Sequence, residues 1–161
     1  MDTTSLIIGI LLFIAFMFPI LYVLLKQKSK ENKNKKLLNT IATKNDLNLD
    51  RTETFGHLSL GLDSSKKKLV IIEYGNVENS NIVDLTKVDQ IRIAKKLETS
   101  FSGNIKKEKI VHLALELAGE KQNKLAEITF YDEDDYDSTD AEIRLNEAKK
   151  WDDLLQKNLA F

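Results

Sequence analysis

"ETFGHLSLGLDSSKKKLVIIEY", residues 53–74, is the stretch on which the fold turns. Phe55, His57 and Ser59 alternate there with Leu58, Leu60 and Leu62, the period of two that marks a strand with one face buried. Asp63-Ser64-Ser65 then offers turn chemistry, and "KKLVIIEY" resumes the apolar pattern, so residues 53–74 are expected to form a β-hairpin.

The strand pattern continues outward from this hairpin. A Gly75–Ser80 loop precedes "NIVDL" and the long segment 88–101 (VDQIRIAKKLETSF). "KIVHLALEL" then places Val111, Leu113, Leu115 and Leu117 on one face. After a turn over Gly119–Asn123, "KLAEITFY" sets Leu125, Glu127 and Thr129 against Ala126, Ile128 and Phe130. Six strands are expected, or seven if residues 88–101 divide. The period then changes to that of a helix. Leu145, Ala148, Trp151 and Leu155 form one stripe, with Glu147, Lys149, Lys150, Asp153 and Lys157 opposite. Thr139 and Glu142 have the T-x-x-E spacing of a capping box. Trp151 is expected to face the sheet.

The N-terminal side reads differently. Ser5–Leu25, "SLIIGILLFIAFMFPILYVLL", carries no charge, and twenty residues at about 1.5 Å each span the roughly 30 Å hydrocarbon core of a bilayer. Pro19 is tolerated in such a helix, and Tyr22 suits an interface. A cleaved leader would have a basic start, a shorter apolar run and a small-residue cleavage site; here the start is "MDTT" and lysines follow the run. Residues 1–25 are therefore expected to be a transmembrane anchor. Residues 26–36 (KQKSKENKNKK) hold six lysines, Lys26, Lys28, Lys30, Lys33, Lys35 and Lys36, against none before the span. That asymmetry puts the N-terminus outside and residues 26–161 in the cytoplasm. The same lysines are candidate contacts for anionic headgroups. Residues 26–51 read as a basic juxtamembrane stalk with a short amphipathic helix over 37–49, for which Asn45 is a stop signal, and residues 52–161 as one folded domain.

Element order and two local patterns carry a resemblance. "LSLGLDSSKKKLVIIE" holds an L-x-L-D turn before a lysine-rich strand start, and "NIVDLTKVDQIRI" holds an I-x-D-L-x-x-V strand end. Together with one C-terminal amphipathic helix bearing an inward Trp, residues 52–159 resemble the pleckstrin-homology-like (PH-like) superfamily, and within it membrane-tethered bacterial proteins. The resemblance implies an α+β fold: a partly open antiparallel barrel of two bent sheets, closed at one end by the helix, at a bacterial cytoplasmic membrane. Inositide-binding members carry a basic first hairpin. Lys66, Lys67 and Lys68 match that feature, but the following "LVIIE" has no further lysine or arginine, a departure from the inositide pattern.

Signs of catalysis are sparse. Cysteine is absent, and His57 and His112, the only histidines, stand in strand patterns without zinc-ligand spacing. The six glycines form no phosphate-binding loop. Residues 37–161 hold 18 basic and 23 acidic side chains, unlike a nucleic-acid binder, and no cofactor is implied. The conspicuous feature is "DEDDYDSTD", residues 132–140. No register of it meets the calcium-loop pattern, which needs glycine at position 6 and an acid at 12. Three readings remain: a solvated loop complementing the helix dipole, a patch for a basic protein partner at Asp132, Glu133, Asp134 and Asp135, or a divalent-cation site using Asp132, Asp134, Asp135 and Asp137. The chain is thus expected to be a membrane-anchored interaction or scaffolding module without catalytic activity. The alternatives are an anionic-lipid sensor, and an enzyme or cation binder.

Overall fold

The computed structural model describes residues 3–74, 79–102, 105–134 and 140–159. The chain divides into two compact units, residues 1–37 and 38–161. Helix α1 (Thr3–Lys44), whose residues up to Leu37 belong to the first unit, is long and apolar enough to cross a membrane. Its large apolar side chains from Ile7 to Leu25 are exposed, Phe16 at 73%, as they would be in contact with lipid rather than with protein. Pro19 lies inside this helix without ending it.

The helix expected over residues 37–49 is the last part of α1, and it stops at Lys44. Asp46 adopts a left-handed conformation, φ 55°, normally left to glycine. This lets Leu47 N donate to Ala42 O at 2.8 Å and Asp46 N to Thr43 O at 3.1 Å, satisfying the final carbonyls. Asn45 Nδ2 adds a bond to Ile41 O at 2.8 Å.

The second unit is α+β. Strands β1 (Arg51–Phe55), β2 (Leu58–Asp63), β3 (Lys68–Glu73) and β4 (Asn79–Asp84) form an antiparallel sheet in chain order. Strands β5 (Gln90–Ser102), β6 (Ile105–Ala118) and β7 (Lys124–Asp132) form a second one, and helix α2 (Ala141–Leu159) follows. The described strands form two separate sheets, with no ladder closing them into a barrel.

Seven strands are present among the described residues, but the seventh arises elsewhere than expected. Residues 88–101 do not split; β5 is continuous. The strand read across residues 53–63 is instead two, with Phe55 paired to Leu58 around a two-residue turn at Gly56 and His57. Gly56, φ 28°, occupies a backbone conformation that side chains disfavour.

One core joins both sheets and α2. Leu58, Leu60, Leu62, Leu69 and Ile71 from the first sheet meet Leu113, Leu115, Leu117, Ile128 and Phe130 from the second, with Leu145, Ala148, Trp151 and Leu155 of α2. Phe55 and Phe130 stack obliquely with ring centroids 5.7 Å apart. Thr129 also receives side chains from the first sheet: His57 Nε2 donates to its carbonyl at 2.9 Å, and Glu73 Oε1 accepts from its amide at 3.3 Å. These bonds cap backbone groups on β7 that strand pairing does not use.

The first sheet is buried on its other face as well. Ser59, Gly61 and Asp63 of β2, and Val70 and Ile72 of β3, are all enclosed. A Cβ on Gly61 would lie 2.6 Å from Leu49 Cδ1 and 3.2 Å from Leu38 Cδ1, so glycine is what admits these leucines to the sheet.

Candidate functional site

The residues that carried the PH-like resemblance assemble one corner of the first sheet. Asp63, fully buried, accepts from Ser65 Oγ at 2.6 Å, Lys66 N at 2.9 Å and Asn48 N at 2.7 Å. The Ser65 hydroxyl and the Lys66 amide hold its carboxyl down at about 2. Asp84 pairs with Lys68 Nζ at 2.7 Å, directly across the β3–β4 register. It also accepts from Thr86 Oγ1 at 2.7 Å and Thr86 N at 3.1 Å, capping a single 3₁₀ turn at Leu85–Lys87. The Lys68 ammonium, then the Thr86 hydroxyl, lowers its carboxyl to about 2. Leu85 and Val88 of the same motif are buried in the core. Both patterns are therefore framework.

This placement bears on the basic hairpin. Lys66 pairs with Asp46 at 2.6 Å and Lys68 with Asp84, so both ammonium groups neutralise carboxylates of this chain. Lys67 holds the turn in a left-handed conformation, φ 50°, and its carbonyl accepts from Leu85 N at 2.9 Å. In α1, Lys26, Lys28, Lys30, Lys33, Lys35 and Lys36 are all exposed. Their spacing, at about 100° per residue, distributes them around the helix rather than along one stripe.

The acidic segment begins where β7 ends. Asp132 stands opposite His112 in the β6–β7 register, and its Oδ2 lies 3.1 Å from His112 Nδ1. His112 Nε2 lies 3.5 Å from Glu127 Oε1, so the imidazole sits between two carboxylates. Asp132 Oδ1 accepts from Asp134 N at 3.1 Å. That amide, and then His112, lowers the Asp132 pKa. Glu133 forms an ion pair with Lys109 of β6, and its amide donates to Val111 O at 3.0 Å. Beside these groups lies a cleft of about 440 Å³ whose lining includes Lys96, Leu97, His112, Asp132 and Asp134. Leu97 is 50% exposed in this polar setting.

Asp135, Asp137 and Thr139 lie outside the described residues. The Glu142 amide of the expected capping box donates to Asp140 Oδ1 at 2.9 Å, and Arg144 N donates to Asp140 O at 3.2 Å. Asp140 thus caps α2 one residue after the position expected, a common latitude where two cap-forming residues adjoin. Trp151 is 2% exposed, and its Nε1 donates to Glu53 Oε2 at 2.7 Å. Among the described residues no three His, Asp or Glu side chains gather as a metal-holding group.

In the sequence His112 stands in a strand pattern without zinc-ligand spacing. Its pairing with Asp132, like that of Lys109 with Glu133, depends on a register known only once β6 and β7 are aligned. The acidic segment is consequently an ordered strand exit in which Asp132 and Glu133 are tied to β6, with Asp134 exposed beside them. What it offers chemically is fixed carboxylates next to an exposed leucine. Neither a protein-family model, nor a curated protein, nor a solved structure matches the chain.

Proposed function

We propose that the chain is a single-pass membrane protein that presents a PH-like domain at the cytoplasmic face, and that the domain is a non-catalytic module for protein interaction. One observation carries the reading. At the exit of β7, Asp132 is oriented by His112 and the Asp134 amide, and Asp134 stands exposed beside it. Carboxylates held in fixed positions at a strand exit suit a basic segment of a partner, because their charge steers it and their geometry sets its register. Two antiparallel sheets and a C-terminal helix around a shared core support the PH-like part. The exposed apolar length of α1, followed by lysines, supports the membrane part and the orientation.

The test is capture from detergent-solubilised native membranes, comparing the full chain with a Glu133→Lys/Asp134→Lys variant. Both side chains are on the surface, so the fold is retained. A stoichiometric partner is expected with the native chain, and at least tenfold less with the variant. Equal capture by both, or no stoichiometric partner, contradicts the reading. Anionic-lipid contact is the second reading, favoured by the six exposed lysines of α1. Lipid contact would depend on those lysines and would not weaken in the Glu133→Lys/Asp134→Lys variant.

A further inference from the structure

We propose that β5 pairs with the β5 of a second copy of this chain, strand to strand and antiparallel, about a twofold axis at Leu97. β5 is the outer strand of its sheet, 13 residues long, with β6 on one side only. Near its start Gln156 of α2 reaches Ile91 O at 3.2 Å. Beyond that point every residue from Lys95 to Ser100 is exposed, and no turn or loop backbone among the described residues bonds to the edge. A long open edge is a template for another strand unless its side chains forbid pairing.

The side chains here select a pairing. Around Leu97 stand Lys96 and Glu98, which project from the same face of the strand. With Leu97 opposite itself, each copy's Lys96 falls opposite the other's Glu98, giving two opposite-charge pairs and an apolar contact at the axis. Centring the pair on Lys96 would set two ammonium groups face to face, and centring it on Glu98 would oppose two carboxylates. One register is thus favoured and its neighbours are penalised. The strand is also regular enough to pair. The irregularity between Lys96 and Leu97 places its extra residue, Val111, in β6, because Lys96 opposes His112 and Leu97 opposes Ile110. This geometry is independent of the membrane reading, although confinement of α1 to a bilayer would raise the local concentration of copies.

The chain contains no cysteine, so one introduced thiol reports cleanly. In the full chain, Leu97→Cys places two thiols at the axis, where directly opposed Cα atoms lie about 4.5–5.5 Å apart, within the separation a disulfide spans. Thr99→Cys places its thiols opposite Lys95, about 14 Å from each other and out of reach. Mild oxidation is expected to cross-link Leu97→Cys into dimers at least tenfold more than Thr99→Cys. Adding Glu98→Lys should reduce that cross-link at least tenfold, and adding Lys96→Glu as well should restore it. All four positions are exposed, and circular dichroism verifies that each variant is folded. Absence of dimer from Leu97→Cys overturns the proposal and makes Lys95 and Lys96 guards of the edge. Equal cross-linking at positions 97 and 99 also overturns it, as random collision, and so does indifference to Glu98→Lys.

Discussion

Trp151→Ala is expected to destabilise the domain by about 3–5 kcal/mol, a large part of the 5–15 kcal/mol typical of a domain this size. Trp151 fills the core between α2 and both sheets at 2% exposure, so its removal leaves a cavity that leucines on several elements would have to close together. Its bond to Glu53 matters less. Glu53 is exposed, so a released carboxylate returns to water at a cost of about 1 kcal/mol or less. Trp151→Phe, which loses the bond and only part of the volume, should therefore fall well short of the alanine variant. Urea unfolding followed by circular dichroism measures both; fluorescence cannot, because this is the only tryptophan. A loss below about 1 kcal/mol for alanine would mean that the indole is not a core group.

Asp63→Ala is expected to cost about 3 kcal/mol, because it removes a buried carboxylate that accepts from two amides and a hydroxyl. Asp63→Asn retains an oxygen and the shape, and should cost less. The charge shows separately in acid. Asp63 and Asp84 titrate at about 2 in the folded chain against 3.8 for an ordinary aspartate. Their stabilisation is therefore complete above 3.8 and is lost as pH falls toward 2. Stability measured by urea unfolding should decline across that window in the native chain, and less steeply in Asp63→Asn. An identical acid slope in the two proteins would contradict the assignment of Asp63.

Much of this framework is legible in the residues. In β7, Ala126, Ile128 and Phe130 are buried while Leu125 is 41% exposed, as their alternation requires. Leu145, Ala148, Trp151 and Leu155 of α2 face the core, as a helical stripe must. The hairpin was half legible. Phe55 and Leu58 differ in strand parity and should oppose each other, yet the Gly56–His57 turn brings them face to face on one side. Gly-His lacks the Asn-Gly signature that announces such turns, so the alternation conceals it. β2 and β3 show a different limit. The unbroken apolar run Leu69–Ile72 fits a strand covered on both faces, as β3 is, but it does not say that Leu38 of α1 and Leu49 supply the second cover, over Gly61 of β2. The candidate site was legible only as composition. His112 and Asp132 are twenty residues apart, and they meet because β6 and β7 pair across a register shift between Leu113 and Ala114. Such a shift leaves no trace in hydrophobic pattern.

The central claim, a folded domain held by one apolar helix at the cytoplasmic face, is tested most directly by thiol accessibility. Thr4→Cys and Lys157→Cys would each be labelled in intact bacterial cells with a membrane-impermeant maleimide, the latter residue being exposed on α2. The account predicts labelling at position 4 alone, labelling at position 157 only after lysis, and a chain that stays in the membrane pellet at alkaline pH. Labelling of position 157 in intact cells, or release of the chain by alkali, would contradict it.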